Sequence, residues 1–281
     1  MTDRVLRSLL FTPATRVAAF DKALGSGADC VCLDLEDAVP PASKAGARPA
    51  ALDWLSAGGE GPLRGLRINA LSTAFGMADM ADLARAAPGA GLVMLPKVGS
   101  AEEVRLAAAV LDEAGSGLTL AALVESAAGL AAVDGIAAAS PRLTVLVFGG
   151  VDLSADLGAD PVSDTMRVAR ARIVQAARAA GRDVLDVPEL AFRDLDGVAR
   201  AARLAAREGF TGKAAIHPAN VAAINDAFTP DAEAIAEARR VVEAFEAAPS
   251  GLAELDGKLI EAPVVKAMRG RLARARAAGV L

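Results

Sequence analysis

The sequence predicts an α/β protein folded as a (β/α)₈ TIM barrel with a C-terminal helical extension. Eight short apolar runs alternate with helix-like stretches along the first 230 residues. The polar residues that end these runs recur about every 30 residues, the length of one strand-plus-helix unit. An open, doubly wound parallel sheet is the alternative, because a strand count made from sequence is uncertain.

The eight predicted strands lie near residues 8–12, 30–35, 64–69, 91–96, 118–124, 143–149, 183–187 and 212–216. Seven polar residues end or follow these runs: Asp34, Arg67, Lys97, Glu125, Asp152, Asp186 and His217. Because parallel strands end on one rim of a barrel, these side chains are expected to face a common site.

Helices are predicted from apolar spacing. One spans Thr15–Leu24, with Val17, Phe20 and Leu24 on one stripe. Ser100 opens another, with Glu103 three residues later as in a capping box. A third spans Asp194–Glu208. The expected apolar faces of the last two are Val104, Leu106, Val110 and Leu111, and Val198, Ala201, Ala202 and Leu204.

The predicted domains are a barrel at 1–230 and a helical extension at 231–281. A helix over 220–228 closes the barrel, and helices over 232–247 and 264–278 flank a break at 249–251. The extension exceeds what a barrel needs, so it is expected to pack on a neighbouring subunit.

Composition narrows the class of function. A hydrophobic fraction of 53% with 23% charged residues is enough for one large core. The net charge of −5 and the 3% aromatic content argue against nucleic-acid binding. No apolar run is long enough for a membrane span or a secretory signal, so a cytoplasmic protein is expected.

Cysteine and histidine offer little chemistry. Cys30 and Cys32 lie two apart in one predicted strand, where packing in the barrel wall is expected rather than a disulfide or a metal site. His217 is the only histidine, and its place before Pro218 favours a capping or packing role over that of a base.

The strongest chemical signal is a pair of carboxylates. Glu125 ends the run LTLAALVE, and Asp152 follows TVLVFGGV one unit later. Two hard oxygen ligands with room for water and substrate are what Mg²⁺ prefers. The pair therefore predicts a metal-dependent enzyme, although each carboxylate alone could be a helix cap.

Three further positions border the same predicted rim. Arg67 presents a donor fork suited to a carboxylate or an oxyanion, or else forms a structural ion pair with Asp34 or Glu36. Asp34, Glu36 and Asp37 form an acidic cluster, part of which is expected to hold Arg67 or Lys44 in place. Lys97 is expected to bind an anion, with Schiff-base formation as the alternative.

The sequence resembles the HpcH/HpaI aldolase and citrate lyase superfamily, in its citrate lyase β-subunit-like branch. The segments that carry the resemblance run in order through nearly the whole chain: RSLLFTPATRVAAFDKALGSGADCVCLDLEDAV, LRINAL, LVMLPKV, LVESAAGL, VFGGVDLSADLG, GFTGKAAIHPANVAAINDAFTP and GKLIEAPVV. That branch includes citrate lyase β subunits and the lyases of malyl-CoA and citramalyl-CoA.

The resemblance implies a role for each matching residue. Glu125 and Asp152 match the Mg²⁺ ligands, Arg67 matches the substrate-binding arginine, and Asp34, Glu36 and Asp37 match the acidic motif. Glu261 takes the place of an aspartate that acts as general acid in a neighbouring subunit of a homotrimer. The candidate catalytic residues are Arg67, Asp34 and Glu261, and the candidate substrate-binding residues are Arg67, Glu36, Asp37 and Lys97.

The implied reaction is a reversible Claisen-type cleavage of a 3-hydroxyacyl-CoA thioester into an acyl-CoA and a 2-oxo acid. The thioester is expected to be malyl-CoA, citramalyl-CoA or citryl-CoA. The alternatives are a metal-dependent aldolase of free 4-hydroxy-2-oxo acids, a citrate lyase β subunit that needs partner subunits, and a non-catalytic binding protein. Related aldolases use a histidine early in the barrel, which this sequence lacks.

Overall fold

A computed structural model describes residues 5–248 and 252–281, and the predicted break at 249–251 lies outside them. Eight parallel strands form the central sheet: β1 (Ser8–Pro13), β2 (Cys30–Asp34), β3 (Leu63–Arg67), β4 (Leu92–Leu95), β5 (Thr119–Val124), β6 (Leu143–Phe148), β7 (Asp183–Asp186) and β8 (Gly212–Ala215). They pair in chain order, and β8 pairs with β1. The sheet is therefore closed, which confirms the (β/α)₈ barrel and excludes the open, doubly wound sheet.

The barrel interior is packed with small and branched apolar side chains. Its central cluster contains Leu6, Leu9, Cys30, Cys32, Leu92, Met94, Ala121, Leu123, Val145, Val147 and Leu185. Both cysteines are reduced thiols and fully buried, so their predicted packing role is confirmed. Burial raises the pKa of the Cys32 thiol well above its ordinary value, and this thiol remains protonated.

Helices surround the barrel and continue beyond it: α1 (Phe20–Leu24), α2 (Pro41–Ser56), α3 (Ala74–Ala86), α4 (Ala101–Glu113), α5 (Ala127–Ala131), α6 (Val133–Ala137), α7 (Gly150–Asp156), α8 (Asp164–Ala179), α9 (Leu195–Glu208), α10 (Val221–Phe228), α11 (Ala232–Glu246) and α12 (Ala262–Ala277). None of these described helices is both long and apolar enough to cross a membrane.

Three residues that were predicted to lie on buried helix faces are exposed, so their predicted burial is wrong. Leu106 in α4 and Leu204 in α9 are about half exposed, although both were expected on buried faces. In α9 the buried stripe is Val198, Ala202 and Ala205, and Leu204 lies more than 90° away from it around the helix. Val17 is also exposed, in a 3₁₀ turn that precedes α1.

The start of α4 contains only half of the expected capping box. The Ser100 side chain caps no backbone N–H group. Instead, Oε1 of Glu103 accepts hydrogen bonds from the Gly99 N–H at 3.0 Å and from the Ser100 hydroxyl at 3.2 Å. The helix therefore begins where it was predicted, with Glu103 as the residue that fixes its first turn.

The chain divides into two compact units, Leu6–Asn225 and one that contains Asp226–Leu281. In the second unit α11 packs on α12 through a small core of Ile235, Ala238, Leu272 and Ala275. The unit also contains an antiparallel hairpin of β9 (Ala253–Leu255) and β10 (Lys258–Ile260), which the sequence analysis missed.

Candidate active site

The carboxyl ends of the barrel strands surround a cavity of about 430 Å³. Five predicted site residues line it: Asp34, Asp37, Arg67, Glu125 and Asp152. The other lining residues are apolar: Phe11, Pro13, Ala38, Leu123, Val147, Phe148, Gly149, Val151, Val187, Pro188 and Ile216. The cavity therefore combines a small set of charged groups with an extended apolar wall, as ligand sites commonly do.

Arg67 and Asp34, which end β3 and β2, form a bidentate ion pair. Their Cα atoms are directly paired between β2 and β3, which brings the two side chains together. The Arg67 Nε lies 2.7 Å from Asp34 Oδ1, and Nη2 lies 2.5 Å from Oδ2. The guanidinium also stacks 4.9 Å from the ring centre of Phe11. These contacts hold the fork in one orientation.

Asp34 also organises the acidic loop that follows β2. Its Oδ1 accepts a hydrogen bond from the Glu36 N–H at 2.8 Å, and its Oδ2 accepts one from the Ala38 N–H at 3.1 Å. Lys44 also holds the loop in place, because its Nζ donates hydrogen bonds to the carbonyl oxygens of Leu35 and Glu36 at 2.8 and 2.6 Å. Lys44 is thus held by backbone oxygens rather than by the carboxylates of the cluster.

Glu36 connects the two cations of the site. Its Oε1 pairs with the Lys97 ammonium, and its Oε2 lies 3.2 Å from Arg67 Nη1. This Oε2 is buried and accepts no hydrogen bond from the described residues. Burial raises the pKa of Glu36, while Arg67 and Lys97 oppose that shift. Asp37 is half exposed and lies 3.8 Å from Arg67 and 3.4 Å from Lys97.

Lys97 is a poor candidate for Schiff-base chemistry. Burial opposes its charge, but the hydrogen bond to Glu36 and the nearby carboxylates of Asp37 and Glu125 raise its pKa to about 12. A lysine needs a neutral amine to attack a carbonyl, so this ammonium is held in the unreactive form. Neither Lys97 nor Glu36 lines the cavity, and together they form the network beside it.

The backbone at Lys97 positions Glu125. Lys97 has a φ of 53°, a left-handed conformation that is unusual for a side chain of its type. In this conformation its N–H donates to Glu125 Oε1 at 2.7 Å. On its other side Glu125 packs against Gly149, where a Cβ atom would lie 2.3 Å from Glu125 Cβ and 2.9 Å from Oε2. Glu125 is therefore fixed between two backbone segments.

The electrostatics around Glu125 indicate a deficit of positive charge. Burial, together with the carboxylates of Glu36 and Asp152, raises the pKa of Glu125 to about 8. The Lys97 N–H and ammonium oppose the shift without cancelling it. Asp152, in the first turn of α7, is exposed to the cavity. A cation between these carboxylates would stabilise their ionised forms.

This donor set fits a magnesium ion. Within residues 5–248 and 252–281, no group of three or more histidine, cysteine, aspartate or glutamate side chains is arranged as a metal site. Glu125 and Asp152 would thus supply two carboxylates, leaving the other positions for water or substrate. Mg²⁺ is usually bound in this manner, through one or two carboxylates with several waters retained.

Two other strand-end residues serve structure. His217 caps a 3₁₀ turn by accepting a hydrogen bond from the Ala219 N–H at Nδ1, and its ring stacks 5.3 Å from that of Phe192. The predicted capping role is confirmed. Asp186 is buried in an ion pair with Lys213, whose Nζ lies 2.7 Å away.

Glu261 belongs to the second unit, in which it is exposed and precedes α12. Its side chain caps no N–H group of that helix. Its expected service as an acid in a neighbouring subunit stays a prediction.

The apolar wall was missed by sequence reasoning. Phe148, Val187 and Ile216 each end or follow a strand, but they were considered only as parts of apolar runs. A signal was available, because the site of a barrel lies at the carboxyl ends of its strands, where apolar as well as polar residues can line it.

This chain is similar to known proteins in both sequence and structure. The sequence profile of the HpcH/HpaI aldolase/citrate lyase family matches residues 7–218. Among curated proteins, an L-malyl-CoA/β-methylmalyl-CoA lyase of Cereibacter sphaeroides is 38% identical, and the alignment covers 92% of this chain and 91% of that protein. A (3S)-malyl-CoA thioesterase of the same species is 35% identical over 96% of this chain and 95% of its own.

Solved structures agree with this match. CitE of Mycobacterium tuberculosis, crystallised with magnesium, acetoacetate and coenzyme A, superimposes with a TM-score of 0.82 at 35% identity over 98% of this chain and 99% of its own. RipC of Yersinia pestis gives a TM-score of 0.72 at 37% identity over 84% of this chain and 100% of its own.

Proposed function

This chain belongs to the HpcH/HpaI aldolase/citrate lyase family and is a carbon–carbon lyase, and from that premise we propose that it cleaves a 3-hydroxyacyl-CoA thioester with Mg²⁺ as cofactor. The products would be a shorter acyl-CoA and a 2-oxo acid. The observation that carries the proposal is one cavity that is lined both by the carboxylates of Glu125 and Asp152 and by Arg67, whose guanidinium is oriented by Asp34.

Glu125 and Asp152 would hold the metal ion, and the raised pKa of Glu125 supports this assignment. Bound there, Mg²⁺ supplies Lewis acidity that lowers the energy of charge developing on a substrate oxygen. The magnesium in the related CitE crystal structure is consistent with this choice of metal. The apolar wall of Phe148, Val151 and Val187 would keep water from the reacting carbons.

Arg67 would bind the oxyanion of the thioester enolate that forms as the carbon–carbon bond breaks. Asp34 occupies Nε and one edge of Nη2, whereas Glu36 Oε2 lies 3.2 Å from Nη1 without a hydrogen bond, so the N–H groups of Nη1 and the second N–H group of Nη2 are the ones that would bind a ligand. Asp34 would act by orienting this fork, and Glu36, Asp37 and Lys97 would set the local potential. Burial lowers the pKa of Arg67, but the carboxylates of Asp34, Glu36 and Asp37 raise it by more. The pKa of Arg67 is therefore raised, and its positive charge is permanent.

Glu261 of a neighbouring subunit would donate the proton that the enolate carbon requires. This step depends on the proposed homotrimer, which light scattering on the purified protein would test. An exposed carboxyl side chain that caps no helix N–H group is consistent with such a role. Relative to the aspartate of the family motif, the extra methylene of Glu261 changes the reach of the acid by about 1 Å, which catalysis can detect.

The test is a mass-spectrometric assay of purified protein with Mg²⁺ and an EDTA control. Malyl-CoA, β-methylmalyl-CoA, citramalyl-CoA and citryl-CoA are incubated separately. A short acyl-CoA plus its oxo acid, both abolished by EDTA, is the expected result. A metal-dependent aldolase would instead cleave free 4-hydroxy-2-oxo acids. No cleavage of any compound would favour a citrate lyase β subunit that needs partners, or a binding protein.

Thioester hydrolysis is the second candidate, favoured by the likeness to a (3S)-malyl-CoA thioesterase. The same assay separates the two reactions, since hydrolysis yields malate and free coenzyme A whereas cleavage yields acetyl-CoA and glyoxylate.

A further inference from the structure

A second charged cluster lies directly behind the cavity wall. Asp186 at the end of β7 and Lys213 in β8 are each only 2% exposed, and Lys213 Nζ lies 2.7 Å from Asp186 Oδ2. Arg170 of α8 joins the cluster, because its Nη1 pairs with Asp186 Oδ1, while its Nε and Nη2 lie 2.8 and 2.6 Å from Glu208 Oε2. We call Arg170, Asp186 and Lys213 the rear network. A helix on the outside of the barrel is thereby joined to two of its strands.

The rear network contacts the wall of the cavity at two points. Lys213 Nζ donates a hydrogen bond to the carbonyl oxygen of Val187 at 2.6 Å, and Val187 lines the cavity. The Arg170 guanidinium lies 5.1 Å from the ring centre of Phe148, another lining residue, and 4.7 Å from that of Phe210. One set of charges therefore fixes two neighbouring parts of the wall.

Phe148 directly precedes residues 149–152, the segment that ends in the candidate metal ligand Asp152. Its ring is packed so closely on Gly150 that a Cβ atom there would lie 2.6 Å from Phe148 Cε1. Gly149 contacts Glu125, and Asp152 follows two residues after Gly150. The ring of Phe148 thus packs against both the Arg170 guanidinium and the backbone segment that carries Asp152.

The rear network has little value for stability alone. Moving three charged groups out of water opposes folding, and apolar residues of similar volume often stabilise a buried site as well or better. What charged groups add is a fixed geometry, since hydrogen bonds and planar stacking restrict angles in a manner that apolar contacts do not. This geometry is imposed where the rear network meets the cavity wall.

We infer that Arg170, Asp186 and Lys213 are positioning residues that set the shape of the wall formed by Phe148 and Val187 and thereby decide which substituent on the substrate's acyl chain fits. The inference rests on the proposed function, which supplies the substrate class. None of the three residues lines the cavity. They act through the side chain of Phe148 and the backbone of Val187.

The test uses two thioesters that differ by one methyl group, malyl-CoA and β-methylmalyl-CoA. A tight apolar pocket discriminates one methyl group by roughly 10–200-fold in kcat/KM. Arg170→Lys keeps the charge and removes the planar stack, while Lys213→Met removes the bond to Val187. Both variants are expected to bring the ratio of the two kcat/KM values closer to 1.

Arg142→Lys is the matched control. Arg142 pairs with Asp112 and donates to the carbonyl oxygen of Leu118, but it precedes β6 at the opposite end of the barrel. The control is expected to keep the wild-type ratio even if its melting temperature falls. Equal changes of the ratio in Arg170→Lys and Arg142→Lys would overturn the inference, as would no change in Arg170→Lys.

Hydrogen exchange measured by mass spectrometry tests the positioning role of the rear network without requiring that the protein cleave either thioester. Faster exchange is expected in peptides that contain residues 148–152 in Arg170→Lys and in peptides that contain Val187 in Lys213→Met, and in neither segment in Arg142→Lys. If neither thioester reacts with the wild type, the proposed function fails while the positioning role is still decided by exchange. Unchanged exchange in both segments would overturn it. Arg170→Lys provides this comparison even if Lys213→Met does not fold.

Discussion

Replacing Gly149 with alanine isolates the packing that fixes Glu125. The backbone of Gly149, with φ −91° and ψ 67°, is accessible to alanine, so the substitution introduces no strain of the left-handed kind. The added methyl group would lie 2.3 Å from Glu125 Cβ, 3.2 Å from its Cα and 2.9 Å from Oε2. The effect is therefore steric and is directed at one candidate metal ligand.

The magnitude follows from these distances. Carbon atoms in contact normally lie about 3.5–4.0 Å apart, so Glu125 or the backbone at Gly149 must move by roughly 1 Å. Overpacking of this kind costs about 1–3 kcal/mol of stability. A displacement of about 1 Å at a reacting centre can lower the rate by about 10²-fold. The expected variant is folded, somewhat less stable and strongly impaired in metal binding and turnover.

Two measurements check this expectation: calorimetric titration with Mg²⁺, and kcat/KM for whichever thioester the wild type cleaves. Gly46→Ala is the control, because a Cβ there meets nothing within 4 Å and a helix interior favours alanine by about 0.5–1 kcal/mol. The control is expected to be slightly stabilised and fully active. Wild-type Mg²⁺ affinity in a folded Gly149→Ala protein would refute the assignment of Glu125 as a ligand.

Three further predictions concern single side chains. Arg67→Lys keeps the charge but loses the fork held by Asp34, so kcat/KM is expected to fall by about 10²–10³-fold, and near-normal turnover would contradict its oxyanion role. Glu261→Gln is expected to lower kcat by roughly 10²–10⁴-fold with Mg²⁺ affinity unchanged, while Glu261→Asp retains activity; equal activity in both would remove Glu261 as the acid. Asp183 has a pKa raised by burial, so its ionisation opposes folding above the unfolded pKa of about 3.9. Asp183→Asn should therefore raise the melting temperature at pH 7, with the gain lost as pH falls below that value; a gain that persists at pH 3 would contradict this cause.

The strands were predicted closely because burial on both faces leaves a continuous apolar run in each. Their observed ends differ from the predicted ones by no more than two residues. The side-chain faces of the helices were predicted less well. Leu106 and Leu204 are exposed because a small residue such as Ala202 or Ala205 can occupy the buried stripe, while a larger apolar residue can face solvent.

The hairpin of β9 and β10 could have been predicted from the sequence. Asp256 and Gly257 form the two-residue turn between β9 and β10, and both have positive φ values, 52° and 72°. Asp-Gly between short apolar segments is a strong hairpin signal. The contribution of Arg170 to the rear network could not be predicted, because Arg170 belongs to α8 and its pairing with Asp186 depends on how that helix packs against the barrel.

The charge balance of the site explains why a cation and the substrate belong together. Five carboxylates and two cationic side chains form the charged side of the site: Asp34, Glu36, Asp37, Glu125 and Asp152 against Arg67 and Lys97. Arg67 and Lys97 pair with Asp34, Glu36 and Asp37, so among the described residues no ion pair neutralises Glu125 or Asp152. Burial and the carboxylates of Glu36 and Asp152 raise the pKa of Glu125. An acyl thioester bearing a carboxylate would be repelled by such a surface. Under the proposed function, a divalent ion held by Glu125 and Asp152 would reduce this repulsion and offer a binding point for the substrate's oxygens, so the metal is expected to bind before the substrate.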